Sequence, residues 1–331
     1  MMNKPGNAST LRLLKYFALL LLIRFSTAAL CAQSSAGLQQ EITAIAAAHH
    51  GKVALFAEDL KTGQTVGIQM DEVVQTASVI KLTALYEAME QIREGKIHLD
   101  DRIVLKKSDQ VPGSGVLLFF DTPLTITLKD ALTIMVIMSD NTAANLVIDH
   151  IGLSNINARI QMLGLKNTFF YKKVFQPAEG PMPADQKVYG LGKTTPREMA
   201  EVMRKIATCD LAEPGLPSTS QDDELCGVML HMLTNQFYQD AVPRYISGLN
   251  SSPTGGAIAN KTGSLDSVRN DVAAVSSKNG LLILSMFTYD NQDHSWTVNN
   301  EGEVTIAKLA KAIVAAWSPG GLVSFPQAEK K

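Results

Sequence analysis

The sequence has almost no net charge: 30 lysines and arginines against 32 aspartates and glutamates leave −2 over 331 residues. No basic stripe interleaved with aromatics stands out, which argues against a nucleic-acid partner, and no run of one sign suggests an interaction tail. The histidines at positions 49, 50, 98, 150, 231 and 294 show no metal-ligand spacing. No metal and no cofactor are therefore expected, and the adjacent His49 and His50 read as the end of a solvated helix. A Gly-x-Ser-x-Gly elbow is missing, so the usual hydrolase triad lacks its signature. The stretch GLGKTTP fails as a phosphate loop because Lys187 stands where the first glycine is needed; Thr195-Pro196 reads as a helix cap. There is no internal repeat of solenoid length and, after the N-terminus, no apolar run of membrane length.

What is present fits a globular chain with a sizeable core, 46% hydrophobic and 19% charged. Residues 1–32 read as a secretory signal peptide. Lys4, Arg12 and Lys15 precede the apolar run Phe17 to Ile23, and the small residues Ala28, Ala29 and Ala32 follow. Arg24 interrupts the run, so an uncleaved anchor is the alternative; a lipid anchor on Cys31 is disfavoured by the bulky Leu30. The expected location is periplasmic or secreted, with no stable membrane span after cleavage. Export leaves Cys209 and Cys226 as an even pair in an oxidising compartment, flanking LAEPGLPSTSQDD. They are either a disulfide or two buried thiols.

Patterning places strands at both chain ends and helices between them. Val53 to Asp59 and Thr65 to Gln69 read as a hairpin around Lys61-Thr62-Gly63. Helical patterns span Ser78 to Glu94, Leu128 to Met138, Thr142 to Ile151 and Asn155 to Leu163, with glycines at several C-caps. A further helix opens at Thr195, where Glu198 completes a capping box. Strands return at Gly256 to Thr262, Asp271 to Val275 and Leu281 to Thr288, before a last helix from Val304 to Trp317. The expected architecture is α/β (α+β), one catalytic domain over residues 33–331. A sheet lobe of about 36–76 and 240–325 packs on a helical lobe of about 77–239, with a cleft where they meet.

The stretch TASVIKLTALYEAM carries the chemistry. Ile80, Leu82, Leu85 and Met89 mark an apolar helical stripe, yet Lys81 sits one turn after Ser78 at the helix start. Positive charge is unfavourable there, whereas the free N–H groups suit a developing anion. Ser78-x-x-Lys81, Ser139-Asp140-Asn141 and Lys261-Thr262-Gly263 occur in that order, offering a nucleophile, a proton relay and an anion clamp. Each alone has a bland reading. Ser139-Asp140-Asn141 could simply cap a helix, and Lys-Thr-Gly occurs twice, the copy at Lys61 belonging to a turn.

In their joint order the three motifs resemble the class A β-lactamases and their penicillin-binding relatives, over nearly the whole mature chain. The resemblance implies a β-lactamase-like two-lobe fold and a monomeric serine hydrolase acting on a small-molecule β-lactam or a peptidoglycan stem peptide. Ser78 would attack, and Lys81 would take its proton if burial and the charge of Lys261 keep it neutral. Ser139 would pass the proton to the leaving nitrogen, and Asn141 would hold Lys81 and the substrate amide. The oxyanion would rest between the N–H groups of Ser78 and Ser264, with Gly263 allowing close approach. Lys261, Thr262 and Arg269 would bind the substrate carboxylate, or Arg269 would be a surface residue paired with Asp266 or Asp271. The segment QVPGSGVLLFF would line the entrance.

One departure bears on turnover. The family's Arg-x-Glu-x-x-Leu-Asn loop is matched by PAEGPMP, in which only the glutamate survives, as Glu179; it would be either the base for the water that releases the acyl-enzyme or an exposed loop carboxylate. A D,D-peptidase or slow penicillin-binding enzyme, and a non-catalytic receptor for peptidoglycan or β-lactam, are the alternatives.

Overall fold

The computed structural model describes residues 36–211, 219–246 and 256–326; the leader reading falls outside them. A helix at 36–47 (α1) leads into an antiparallel sheet of β1 (Lys52–Asp59), β2 (Gln64–Ile68), β8 (Ile258–Leu265), β9 (Val268–Ser277) and β10 (Gly280–Tyr289), ordered β2-β1-β10-β9-β8. Strands from both chain ends thus meet where β1 pairs β10, Lys52 opposite Tyr289. This α/β architecture, an antiparallel sheet with a helical insertion, is the one expected.

Period-2 alternation divides the sheet between two cores. Leu55, Ala57, Ala273, Val275, Leu282 and Leu284 point to one face, covered by Leu38 and Ile42 of α1 and by Ile306, Leu309 and Ile313 of α9 (Glu301–Trp317). Ala54, Phe56, Val272, Ala274, Ile283 and Phe287 point to the other, against the helical lobe. With both faces covered, these strands are buried nearly throughout, which is why the sequence shows apolar runs there.

The helical lobe is built on α2 (Lys81–Arg93), which is buried from Lys81 to Ile92. A helix covered on all sides must partner its charges. Arg159 accordingly donates to Glu87 at 2.7 Å and to Glu94 at 2.8 Å, and Arg93 to Glu90 at 2.9 Å. Around α2 pack α3 (Leu128–Ile137), α4 (Asn141–Ile151), α5 (Leu153–Met162), α7 (Pro196–Thr208) and α8 (Ser220–Thr234), with α6 (Gln186–Tyr189) a single short turn ahead of α7. Thr195 caps α7 as expected, its hydroxyl accepting from the Glu198 N–H, but the Glu198 carboxylate closes no capping box and instead accepts from the Asn167 N–H and the Thr168 hydroxyl. Cys209 and Cys226 are disulfide-bonded, their Cα atoms 5.5 Å apart.

Several features depart from the sequence reading. There are two short ladders, β4 (Arg102–Leu105) with β5 (Leu124–Thr127), packed on α3 and α4, and β3 (Val74–Gln75) with β7 (Gly192–Thr194) and β6 (Phe169–Phe170), of which β3 reaches β10 of the sheet. At two to four residues they are too short to show a period. His49 is not solvated but buried at 8% exposure, bonded to Asn291 and Thr305. Among the described residues no helix is long and apolar enough to cross a membrane.

Candidate active site

Ser78 does not lie on the long helix itself. It occupies a 3-10 turn, Ala77–Ile80, that runs into α2 at Lys81. Ala77 has φ 45°, a left-handed conformation rare for a residue with a side chain. Ser139 shares this trait at φ 52°. Such strain costs on the order of 1–3 kcal/mol and persists where surrounding structure enforces it.

For Ser139 the enforcement is visible. Asp140 caps α4 by accepting from the Ala143 N–H at 2.8 Å, and its other oxygen accepts from Val116 and Leu117 at 2.6 and 2.9 Å. One carboxylate therefore fixes both the Ser139-Asp140-Asn141 turn and the 110–117 loop. The bland reading of this motif as a cap holds for Asp140, while its neighbours face the cleft. Asn141 receives a hydrogen bond from Lys81 at 2.9 Å and donates to the Pro112 carbonyl at 3.0 Å.

The two lysines converge on one hydroxyl. Lys81 Nζ donates to the Ser139 carbonyl at 2.7 Å and lies 3.4 Å from Ser139 Oγ. Lys261 Nζ donates to the same Oγ at 2.9 Å and to the Thr262 carbonyl at 2.7 Å. Both lysine side chains are buried, 1% and 0% exposed, so charge on either is poorly screened by solvent. Burial pushes Lys81 well below the ordinary lysine range, the charge of Lys261 pushes it further, and Asp140 partly opposes this. Burial lowers Lys261 to about 7, against the pull of Asp271. Asp271, itself buried and raised to about 6, accepts from Asn260 and from the Val242 N–H.

Edge strand β8 brings Lys261-Thr262-Gly263 to the serine. A Cβ on Gly263 would lie 2.8 Å from the backbone nitrogens of Ser78 and Val79, so only glycine admits this approach. Ser78, Ser139, Thr262, Gly263, Ser264 and Arg269 all line one cavity of about 500 Å³, together with Gly113 and Ser114 of the entrance loop. The structure thus gathers the three motifs and the entrance segment.

Two expected residues stand differently. Arg269 is neither a surface residue nor paired with Asp266 or Asp271: it is 1% exposed, and its Nε lies 3.4 Å from Glu303. The register of β8 and β9 sets it opposite Ser264, and Trp296 covers it with its ring centroid 4.6 Å away. Glu179 is exposed and is not among the described residues lining the cavity. The loop is instead anchored earlier, at Val174, whose backbone is held by Asn145. Trp296 and Glu303 escaped the sequence reading because each reaches the cavity from beyond β10 with no motif of its own, and Asn145, one turn after Asn141, escaped it because its partner Val174 lies 29 residues further on.

Residues 37–317 match the family model described as "Beta-lactamase enzyme family". The chain is 27% identical to the beta-lactamase AER-1 of Aeromonas hydrophila over 198 residues, which is 58% of this chain and 64% of that relative's length. It thus spans just under two thirds of that protein. A solved beta-lactamase from Sphaerobacter thermophilus is 28% identical with a TM-score of 0.70, covering 84% of this chain and 96% of that one. The structure of PBP-A is 22% identical with a TM-score of 0.67, over 85% and 95% of the two chains, and shows a shared fold.

Proposed function

The chain belongs to the beta-lactamase enzyme family, and from that premise we propose that it is a class A type serine hydrolase that opens β-lactam amides through an acyl-enzyme on Ser78. The observation that carries this reading is the hydroxyl of Ser139, held 2.9 Å from Lys261 and 3.4 Å from Lys81 beside the turn that bears Ser78. A buried lysine of depressed pKa is a base at neutral pH, and here it has a hydroxyl through which to return the proton.

In this mechanism neutral Lys81 takes the Ser78 proton as Oγ attacks the lactam carbonyl. The oxyanion is met by the N–H groups of Ser78 and Ser264. The C–N bond breaks, and the proton passes from Lys81 through Ser139 to the leaving nitrogen. Lys261, Thr262 and Ser264 hold the substrate carboxylate, and Asn141 orients Lys81 and the substrate amide. Arg269 adds positive potential from behind its partner Glu303. Water then cleaves the ester.

That last step favours a second reading. Glu179 is exposed and outside the cavity lining, and the loop is pinned at an apolar residue, Val174. An acyl-enzyme without a positioned base is long-lived, which is the behaviour of a slow penicillin-binding enzyme or D,D-peptidase. The fold likeness to PBP-A is compatible with it. The leader reading and the Cys209–Cys226 disulfide support export to a periplasmic or extracellular location.

Purified protein mixed with a chromogenic cephalosporin, followed for colour and covalent mass, tests the proposal. A Ser78 adduct with sustained product release supports the lactamase. An adduct with a single burst supports the slow acylating enzyme, and reversible binding with no adduct in wild type leaves only a receptor.

A further inference from the structure

The cavity extends past Ser264 to a wall that the catalytic motifs do not use. Trp296, in the connection between β10 and α9, forms this wall with Tyr238 and Val298. The indole is 67% exposed although it borders a cavity, so its outer face is open to whatever enters. Its other side packs on the Arg269 guanidinium, whose central carbon is 4.6 Å from the ring centroid.

The guanidinium is in turn immobilised. It donates to the carbonyls of Leu265 and Val268 and, at 2.6 Å, to that of Ser295, with Glu303 at 3.4 Å. Asn300 also donates to the Ser295 carbonyl at 2.9 Å, and Arg244 bonds to Val298 and to Asn299 at 2.7 Å, so the loop bearing Trp296 is tied on both sides of the ring. An exposed indole held by a buried cation and a braced loop is a preformed surface, and a preformed surface binds without the entropic cost of ordering it.

Register gives its place along the substrate. Arg269 is directly opposite Ser264 on the β8–β9 ladder, and the carboxylate site of the proposed mechanism is Lys261, Thr262 and Ser264. Trp296, stacked on Arg269, therefore stands next to the carboxylate end of the substrate. We infer that the outer face of Trp296 is a stacking platform for a planar aromatic group that the substrate carries beside its carboxylate. This makes cephalosporin-type β-lactams with an aromatic ring on the carbon adjacent to the carboxylate-bearing carbon the preferred class, over analogues with a methyl group there. The inference rests on the proposed carboxylate site, and its test is arranged so that it does not depend on acylation.

Two cephalosporins that share one acylamino side chain and differ only in an aromatic ring or a methyl group at that carbon are titrated into Ser78→Ala protein. Calorimetry gives the dissociation constants, and quenching of Trp296 reports contact; the other tryptophan, Trp317, is buried. The expected result is about five- to tenfold tighter binding of the aromatic compound, the range of an aromatic pair. Trp296→Ala in the same background abolishes the ratio and Trp296→Phe largely restores it. The exposed ring leaves the melting temperature of both variants near that of the parent. Equal affinities for the two compounds, or a ratio that survives Trp296→Ala, overturns the inference. If the ratio is found but wild type forms no adduct, the platform stands and the hydrolase mechanism falls.

Discussion

Asn145 takes both backbone groups of Val174 in its side-chain amide: the Val174 N–H donates to Oδ1 at 2.8 Å, and Nδ2 donates to the Val174 carbonyl at 3.0 Å. Asn145 follows Asn141 by one turn of α4, so the helix that presents one amide to Lys81 uses the next to fix the loop. Both partners are buried. Replacing Asn145 by Ala strands two backbone groups, each costing about 1–3 kcal/mol. We expect Asn145→Ala to lose about 2–4 kcal/mol in urea unfolding and to become cleavable by protease within the 174–190 loop.

Glu179 lies five residues beyond that anchor and is exposed. A general base must reach its water at about 2.6–3.2 Å, and Glu179 does not border the cavity that Ser78 lines. Glu179→Gln is therefore expected to leave both acylation and deacylation within about twofold of wild type, an interval too small to reflect loss of a catalytic base. Stopped-flow traces with a chromogenic cephalosporin measure both phases. Accumulation of acyl-enzyme in the variant alone would assign the base to Glu179 after all.

Lys261 gives the site a pH dependence of definite sign. Its pKa is lowered to about 7, so the ammonium that attracts a carboxylate is present below that pH and is lost above it. Above pH 7 a carboxylate substrate must bind together with a proton, and affinity falls by up to about tenfold per pH unit. Benzylpenicillin binding to Ser78→Ala protein, measured from pH 6 to 9, should be flat below 7 and weaken beyond it. In a Lys261→Arg background the curve should stay flat, because guanidinium keeps its charge.

The motifs were legible in the sequence because they are local: Ser78 with Lys81, the triplet at Ser139, and Lys261-Thr262-Gly263 each need only a few residues. So were the strands of the main sheet, whose apolar content comes from cover on both faces, although β9 runs Val268–Ser277 where only Asp271 to Val275 was expected. Arg269 was ambiguous because its neighbours depend on register, and the register is set by the two-residue turn that places Leu265 opposite Val268. His49 was misread for a similar reason. Its partners Asn291 and Thr305 lie more than 200 residues away, separations of 242 and 256, and no helical period encodes them.

The disulfide joins residues 17 apart in sequence, closing the end of α7 onto α8. A loop of that length removes chain entropy worth about 3 kcal/mol from the unfolded state. The Cys209→Ser/Cys226→Ser double variant should lose about that much in urea unfolding while keeping full acylation, since neither cysteine borders the cavity.

The chain contains Lys-Thr-Gly twice, and the two glycines show how one sequence can carry two different constraints. Gly63 has φ 70° at a hairpin turn, with nothing within 4 Å of where a Cβ would stand. Alanine there meets a conformational penalty of about 1 kcal/mol and touches nothing. Gly263 has no such backbone requirement, but its Cβ would lie 2.8 Å from the nitrogens of Ser78 and Val79 and from the Thr76 carbonyl oxygen. These are main-chain atoms that cannot rotate away. Alanine at 263 must push β8 off the serine turn by several tenths of an ångström, moving the Ser264 N–H and the proposed carboxylate site away from Ser78, and small displacements of aligned groups can cost about a hundredfold in rate. We expect Gly63→Ala to lower the melting temperature by a few degrees with acylation unchanged. Gly263→Ala should slow acylation by about a hundredfold or more. Stopped-flow acylation and thermal melts on the same two proteins check both halves, and an active Gly263→Ala would show that the strand edge and the serine turn do not need this contact.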